Sequence, residues 1–373
     1  MHPRHLYVHV PFCARRCAYC DFSIAVRRTV PSDEYVDAVE RELAIRYPDR
    51  GEWTVDTLYF GGGTPSRLGA DGVTRLLESL RRRVTLADGA EVTLEANPED
   101  IDAAAIAAWR RAGINRLSIG AQSFDDRVLS WMHRTHDAAT TSRAVGIARR
   151  GGIDNFSLDL IFALPESLER VWRDDVQRAL DLDPTHLSLY GLTIEPHTPL
   201  GRWSARGEVR ESPDERYEEE FLAAHSMLGE AGFEHYEVSN FARGGMRARH
   251  NSSYWSGVRY ASLGPSAHEF DGDVRRWNTA AYTDWTRQLE SGANPIADSE
   301  TLTDENRAAE RVYLGLRTTD GLVLSDSEIA RVQPWIAAGW AEMREPDRIV
   351  LTALGWLRLD ALATDLTLVR SHY

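Results

Sequence analysis

Short apolar runs alternate with longer amphipathic stretches through the first half of the 373-residue chain. Short apolar runs bounded by turn residues are typical of buried strands, and apolar residues that recur every three or four positions are typical of helices. The pattern predicts strands at Leu6–Pro11, Thr57–Phe60, Glu91–Ala96, Arg116–Gly120, Asn155–Phe162 and His186–Tyr190. It predicts helices between them at Ser32–Arg46, Ala70–Arg83, Ala103–Ala112 and Leu168–Leu180.

The alternation of strands and helices predicts an α/β fold with parallel strands joined by right-handed crossovers. Ser32 is predicted to cap its helix, and Gly113 and Gly232 are predicted to end theirs. Six strand–helix units are fewer than the eight of a closed barrel. We therefore expect a partial (β/α)6 barrel that is open on one side.

The pattern weakens beyond residue 278. A helix is predicted over Glu300–Leu322, followed by a helix, a strand and a helix over Ser325–Met343, Arg348–Thr352 and Ala353–Leu366. This order predicts a smaller, winged-helix-like α+β region at the C-terminus. The chain is thus divided into a core (1–235), an accessory region (236–300) and a C-terminal domain (301–373).

Composition excludes several classes of protein. The net charge of −14 argues against a nucleic-acid binder. We predict no membrane-spanning segment, because no apolar run approaches the roughly 20 residues that a spanning helix needs, and the N-terminus shows no apolar signal segment. With three cysteines in all, we expect a reducing compartment and place the protein in the cytoplasm.

The sequence contains no lysine, so all 43 basic residues are arginines. An enzyme that forms a Schiff base through lysine is therefore excluded, as is a phosphate-binding loop that uses lysine.

All three cysteines lie close together, as Cys13, Cys17 and Cys20 in a C-x3-C-x2-C spacing. Three thiols cannot pair off into disulfides. A zinc site would need a fourth ligand, for which His9 is a candidate. The more specific interpretation is a [4Fe–4S] cluster in which the thiolates bind three irons and the fourth iron stays open.

Polar and glycine residues follow the predicted strands at their carboxyl ends, where chemistry is found in barrels of parallel strands. These candidate site residues are Gly62, Gly63, Thr64, Glu95, Gln122 and Asp159. Any one of them has an ordinary structural explanation as a turn or a buried strand residue. Their occurrence after successive strands predicts one shared site at the open end of the barrel.

The cysteine spacing directly after a short strand resembles the signature of the radical S-adenosylmethionine (SAM) superfamily. The resemblance implies that the open iron holds the amino and carboxylate groups of SAM. Glycine backbone then suits the SAM ammonium (Gly62, Gly63, Thr64), and carboxylates and amides suit its hydroxyl and cationic groups (Glu95, Gln122, Asp159). Arg134 suits the carboxylate through paired hydrogen bonds, and Tyr7 is expected beside the cluster.

Further motifs narrow the resemblance to the oxygen-independent coproporphyrinogen III oxidase group, over nearly the whole chain. They are LYVHVPFCARRCAYCDF, YFGGGTPS, LEANPE, LSIGAQSF, Arg134-x-His136 and Asp159-Leu160-Ile161. The dehydrogenase branch of that group carries a fourth cysteine, where this chain has Phe22, and a longer N-terminal extension. Cys20-Asp21-Phe22 instead resembles the heme chaperone (HemW) branch.

The second half of the chain resembles the same branch. His250-Asn251-Ser252-Ser253-Tyr254-Trp255 is similar to the H-N-x-x-Y-W motif associated with heme handling, so His250 is the leading candidate for a heme ligand. His9, His136 and His268 are alternative ligands. The loop before His268, Ser262–Pro265, departs from a more glycine-rich version, which puts the geometry around that histidine in question.

Two functions follow from the resemblance. The first is a heme chaperone that binds heme, a [4Fe–4S] cluster and SAM, and transfers heme to a target protein, with an electron donor for the cluster. The alternative is a radical SAM dehydrogenase that decarboxylates the propionates of coproporphyrinogen III. A radical SAM protein with an unrelated substrate is a third possibility. The sequence leaves open whether SAM is consumed by catalysis, which protein accepts the heme, and whether the chain forms oligomers.

Overall fold

A nine-stranded sheet forms the centre of the molecule, and the computed structural model describes residues 2–48 and 51–370. The strands are β1 His5–Val10, β2 Phe12–Cys13, β3 Ala25–Val26, β4 Thr54–Gly62, β5 Thr85–Ala96, β6 Arg116–Gln122, β7 Phe156–Phe162, β8 His186–Gly191, β9 Glu234–Glu237, β10 Asn240–Ala242, β11 Ala261–Leu263, β12 His268–Phe270, β13 Val274–Asn278, β14 Ile296–Thr301, β15 Leu322–Val323, β16 Ala341–Glu345 and β17 Arg348–Leu351. The helices are α1 Ser32–Arg46, α2 Gly69–Arg81, α3 Ala103–Ala112, α4 Asp126–Trp131, α5 Ala138–Arg150, α6 Trp172–Asp181, α7 Pro199–Ala205, α8 Asp214–Glu230, α9 Arg249–Trp255, α10 Tyr282–Glu290, α11 Asp304–Arg317, α12 Asp326–Arg331, α13 Gln333–Ala337, α14 Ala353–Trp356 and α15 Leu359–Arg370.

The order of the strands in the central sheet is β11-β1-β4-β5-β6-β7-β8-β10-β9. The first seven strands in that order run parallel. At the other edge, β10 pairs in antiparallel orientation with both β8 and β9. No pairing within the described residues joins the edge strands β11 and β9, so the barrel is open. The predicted partial barrel of six parallel units is therefore confirmed, with β11 as an additional parallel strand.

Helices α1 and α3 have the predicted bounds, and Gly113 ends α3 with a φ of 110° that favours glycine. Helix α6 begins at Trp172, four residues later than predicted, after a short 3₁₀ turn. The prediction that Ser32 caps α1 is wrong. Pro31 precedes the helix, and the Ser32 hydroxyl donates to the Leu68 carbonyl oxygen at 3.3 Å instead.

The core lies where the helices cover the parallel strands. Helix α1 buries Tyr35, Val39 and Leu43 against this sheet. Leu6, Val8 and Val10 alternate along β1 and are fully buried in the same core. Each large apolar side chain buried in this way contributes roughly 1.5–3 kcal/mol to stability. This packing fixes the carboxyl ends of the strands relative to one another.

The accessory region is continuous with the core sheet. The predicted boundary between residues 235 and 236 falls within β9, and β10 and β11 join opposite edges of the sheet. Helix α9, which carries the H-N-x-x-Y-W motif, lies between these two strands in the chain. A separate antiparallel sheet, β12-β13-β14, follows.

The C-terminal region contains helix α11, whose start is fixed by a capping box between Thr303 and Asn306. The prediction of one helix over Ser325–Met343 is wrong. Two short helices, α12 and α13, occupy its first part, and Gly339, with a φ of 76°, turns the chain into β16. The small sheet β15-β17-β16 and the helices beside it agree with a winged-helix-like arrangement. Among the described helices, none has the length and apolarity needed to cross a membrane.

Candidate functional site: two cavities with a shared wall

Two neighbouring cavities open at the carboxyl ends of the parallel strands. The smaller, of about 460 Å³, is lined by the three cysteines and by residues that follow β4 to β8. The larger, of about 1210 Å³, lies toward the accessory and C-terminal regions. Phe22, Gly62 and Glu95 line both cavities. Whatever occupies one cavity is therefore adjacent to whatever occupies the other.

The three thiols line the smaller cavity together. All are half-buried and none forms a disulfide. Thr64 Oγ1 lies 3.4 Å from Cys13 Sγ, and a terminal nitrogen of Arg134 lies 3.4 Å from Cys17 Sγ. Burial raises the pKa of the Cys20 thiol to about 11. In a metal-free protein this thiol holds its proton at neutral pH, and metal binding must displace it.

The glycines after β4 bring backbone close to the cysteine loop. A Cβ atom on Gly63 would lie 2.6 Å from the Pro11 carbonyl oxygen and 3.1 Å from Cys13 Sγ. Gly62 has a φ of 114°, and a Cβ there would lie 2.5 Å from a ring carbon of His9. A side chain fits at neither position. Glycine is needed so that the backbone of this segment lines the cavity.

Glu95 lies at the end of β5, where its two carboxylate oxygens accept hydrogen bonds from the Tyr59 hydroxyl at 2.8 Å and from the Gly62 amide at 3.1 Å. Burial raises the pKa of Glu95 to about 7, even though both hydrogen bonds act in the opposite direction. The side chain thus changes its charge near neutral pH, where it lines both cavities.

Asp159, on β7, accepts hydrogen bonds from the hydroxyls of Ser118 at 2.8 Å and Ser157 at 3.0 Å. Burial raises its pKa as well. Gln122 ends β6 with a φ of 66°, which is rare for a residue other than glycine. Such strained positions cluster at functional sites, and Gln122 lines the smaller cavity.

Arg134 is held by three acceptors around the smaller cavity. Besides its contact with Cys17, it donates to Asn97 Oδ1 at 2.6 Å and to the Gly120 carbonyl oxygen at 3.1 Å. Its Nε atom is buried and finds no hydrogen-bond partner in the described part of the chain. A fixed guanidinium with an unused donor is suited to binding a carboxylate.

The structure thus brings most of the predicted site residues together in the smaller cavity. They are Cys13, Cys17, Cys20, Gly62, Gly63, Thr64, Glu95, Gln122, Arg134 and Asp159. Tyr7 lines the larger cavity instead, and its hydroxyl lies 3.1 Å from His9 Nδ1.

The imidazole of His250 is already hydrogen-bonded through both ring nitrogens. Its side chain is buried, with Nδ1 2.7 Å from Thr57 Oγ1 and Nε2 2.8 Å from the Tyr254 hydroxyl. The ring also stacks on Tyr59, and burial lowers its pKa to about 3. Tyr254 and Trp255, from the same motif, line the larger cavity.

Sequence reasoning did not identify most of the larger cavity. Aromatic residues from three distant segments line it, among them Tyr260, Phe270 and Tyr313, together with Arg275 and helix α15. Unlike the residues of the smaller cavity, these residues do not come after successive strands of the parallel sheet. The one sequence signal was the aromatic pair of the H-N-x-x-Y-W motif. Tyr59, which positions Glu95, was also missed because it lies within a predicted buried strand.

Comparison with known proteins places the chain in a family. Residues 7–175 match the family model described as the Radical SAM superfamily. A protein of Bacillus subtilis named heme chaperone HemW is 34% identical over 317 residues, covering 85% of this chain and 84% of that protein. HemW of Mycobacterium tuberculosis is 35% identical over 370 residues, covering 98% of this chain and 95% of its own. The chain belongs to the HemW family of radical SAM proteins.

The fold has a close counterpart among solved structures. Coproporphyrinogen III oxidase (HemN) of Escherichia coli, described as a radical SAM enzyme, superposes with a TM-score of 0.82 over 98% of this chain and 90% of that one. At 23% sequence identity this likeness concerns the fold alone. It confirms the radical SAM fold that the sequence motifs implied, and the HemW relatives confirm the branch.

Membership of the radical SAM superfamily implies a [4Fe–4S] cluster and SAM, and the residues of the smaller cavity fit both. Three thiols and a cationic guanidinium suit an anionic cluster, and a Cys-rich loop needs no fourth thiol if one iron is open. Within the described residues, no three His, Cys, Asp or Glu side chains converge on a single-ion site.

Proposed function

We propose that this chain is a heme chaperone: it holds heme in the larger cavity and transfers it to an acceptor protein. The observation that carries the proposal is an aromatic-lined cavity of about 1210 Å³ that shares Phe22, Gly62 and Glu95 with the thiol cavity. Flat apolar ligands are held by aromatic walls with a few polar groups that fix their orientation. The HemW relatives support the same reading.

The smaller cavity binds SAM beside the cluster. When bound, a [4Fe–4S] cluster with one open iron supplies a coordination point for SAM and an electron. Arg134 neutralises the SAM carboxylate, and the backbone of Gly62 and Gly63 approaches its ammonium group. Glu95 accepts hydrogen bonds from its hydroxyl or cationic groups. Cys13, Cys17 and Cys20 hold the cluster against this pocket.

Glu95 and Phe22 connect the two cavities. Glu95 contacts both spaces with a carboxyl whose pKa is about 7, so its charge responds to a cationic ligand on either side. Phe22 is 61% exposed and lies at the position where the dehydrogenase branch carries its fourth cysteine. An apolar ring there contributes surface for a porphyrin and no metal ligand, which favours the chaperone over the dehydrogenase.

The proposed function also implies an acceptor, an electron donor and a compartment. The heme acceptor is a protein that binds heme more tightly than this chain does, because the transfer must lower the free energy. A reduced electron carrier serves the cluster. We place the protein in the cytoplasm, in keeping with three free thiols that need a reducing environment.

Anaerobic incubation of the cluster-loaded protein with SAM, a reductant and either heme or coproporphyrinogen III tests the proposal. We expect heme to bind in a one-to-one complex, with transfer to apomyoglobin as a generic acceptor, and no loss of carbon dioxide from coproporphyrinogen III. Decarboxylated product would establish the dehydrogenase instead. Absence of heme binding would refute the chaperone.

A further inference from the structure

We propose that His268, and not the motif histidine His250, is the protein ligand to heme iron, and that it presents heme in the larger cavity with Arg275 beside it. The inference rests on the proposed function, because it assigns the heme site of that function to particular side chains. It differs from the motif-based prediction, which favoured His250. The four candidate histidines differ in what their ring nitrogens contact.

Two of the four histidines, His250 and His9, have both ring nitrogens in hydrogen bonds, and His136 has one nitrogen in a hydrogen bond and the other within ion-pair distance of a carboxylate. His250 bonds to Thr57 and Tyr254 as described above. In His9, Nδ1 lies 3.1 Å from the Tyr7 hydroxyl and Nε2 lies 3.2 Å from the Ser23 carbonyl oxygen. In His136, Nδ1 lies 3.2 Å from Glu99 Oε2 and Nε2 lies 3.2 Å from the Ala121 carbonyl oxygen. All three histidines are buried, so binding to heme iron would require these contacts to break.

His268 is the exception. Its side chain is exposed and lines the larger cavity, and neither ring nitrogen makes a hydrogen bond within the described residues. The ring stacks on Trp277, with centroids 5.8 Å apart and planes inclined by 23°. Stacking orients the imidazole while leaving both nitrogens available. Its pKa is lowered by partial burial, so the ring is neutral at pH 7, as an iron ligand must be.

The strand geometry places further suitable groups on the same face. His268 and Phe270 lie two residues apart on β12 and therefore share a face of the sheet. Their partners on β13 are Trp277 and Arg275. Phe270 and Arg275 also line the cavity. One wall thus combines an imidazole for the iron with an aromatic ring for the porphyrin and a guanidinium for a propionate.

Arg275 is the natural partner for a heme propionate. Its two terminal nitrogens donate to the carboxylate of Glu310 at 3.0 and 3.2 Å, and both residues line the cavity. A guanidinium that already holds one carboxylate in paired geometry can hold another in its place. Heme binding therefore exchanges Glu310 for a propionate, or adds the propionate to the pair.

The test compares His268→Ala with His250→Ala and with His197→Ala, an exposed histidine outside both cavity walls. Each purified full-length protein, with its iron–sulfur content verified, is titrated with hemin and followed by the Soret band and electron paramagnetic resonance. We expect His268→Ala to lose the histidine-ligated spectrum and more than about tenfold in affinity, since even groups that only support a metal ligand matter that much. Added imidazole should restore the ligation. His197→Ala should match the unmodified protein.

The outcomes separate the inference from the proposed function. If the unmodified protein binds no heme, the chaperone proposal itself fails. If it binds heme and His268→Ala keeps the same spectrum and affinity, the assignment of His268 is overturned while the function stands. If His250→Ala loses the ligated spectrum while remaining folded by circular dichroism, the motif histidine is the ligand and the assignment is likewise overturned.

Discussion

The two cavities share a wall but are built on different principles. In the smaller one, the polar groups come from the carboxyl ends of consecutive parallel strands and are bonded to one another, as Arg134 is to Asn97 and Glu95 is to Tyr59. In the larger one, aromatic side chains come from distant segments, and the imidazole of His268 has no hydrogen-bond partner among the described residues. One cavity is pre-organised for a ligand with many polar groups. The other offers aromatic surface and the imidazole of His268.

This difference shows what a motif can and cannot identify. The residues of the cysteine and glycine motifs line the smaller cavity themselves, because local backbone geometry forms that cavity. The H-N-x-x-Y-W motif supplies two aromatic wall residues, while its histidine holds strands and helix together from behind them. In the larger cavity, then, the motif histidine is hydrogen-bonded within the scaffold, and the proposed ligand His268 lies outside the motif.

The largest effect should come from removing a thiol. Cys13→Ala, Cys17→Ala and Cys20→Ala should each abolish the iron–sulfur cluster after anaerobic reconstitution, because three thiolates are the minimum set around an open iron. Iron and sulfide analysis with the visible spectrum measures this. Phe22→Ala, an exposed residue two positions after Cys20, is the matched control and should keep its cluster.

The same thiol variants test whether the two cavities bind their ligands independently. None of the three thiols lines the larger cavity, so heme binding should persist when the cluster is lost. Full cluster occupancy in any thiol variant would contradict the assignment of the smaller cavity. Complete loss of heme binding in all three would show that the two cavities do not act as separate sites.

The next largest effect concerns stability. His250→Leu removes the partner of the Tyr254 hydroxyl, which costs about 1–3 kcal/mol when a buried polar group is left unsatisfied. It also removes one of two bonds of the Thr57 hydroxyl, which keeps its bond to His5. We therefore expect the free energy of unfolding to fall by roughly 1–3 kcal/mol, measured by urea denaturation. The heme spectrum of the folded fraction should still show histidine ligation.

His5→Leu is the matched control, since the half-buried His5 bonds to the same Thr57 hydroxyl at 2.9 Å. Thr57 keeps its bond to His250 in that variant, so the loss should be clearly smaller. Equal losses of stability in the two variants would mean that the two hydrogen bonds of His250 contribute no more than the bond between His5 and Thr57.

The sequence predicted the smaller cavity well because its residues obey two local rules. Parallel strands place their carboxyl ends at one edge, and glycine marks backbone that approaches a neighbour, as at Gly63. The broken C-terminal helix was missed because Pro334 and Gly339 lie in an otherwise continuous amphipathic pattern. The larger cavity was missed because packing between distant segments, such as β12 with α11 and α15, leaves no periodic trace in the sequence.

Replacing Glu95 tests the polar character of the smaller cavity. Glu95→Gln keeps the shape of the side chain and removes its charge, so SAM affinity at pH 8 should fall by about 10- to 150-fold, the equivalent of one hydrogen bond to a charged group. Isothermal titration of the cluster-loaded protein with SAM measures the affinity. Iron content should be unchanged. Affinity within twofold of the unmodified protein would remove Glu95 from the SAM site.

The smallest and most specific effect is the pH dependence of that affinity. Burial raises the pKa of Glu95 to about 7, so its charged form is roughly one-tenth of the total at pH 6 and nine-tenths at pH 8. If the carboxylate is the form that binds SAM, affinity should rise about tenfold over this interval. Asp159, whose pKa is also raised by burial, and the amino group of SAM titrate in the same measurement. The ratio of the unmodified protein to Glu95→Gln at each pH cancels the contribution of the SAM amino group, and the same ratio measured with Asp159→Asn in both proteins removes that of Asp159, whose charge raises the pKa of Glu95. That ratio should rise with pH and level off above the pKa of Glu95; a constant ratio would mean that Glu95 is already charged at pH 6, or that its charge does not contact SAM.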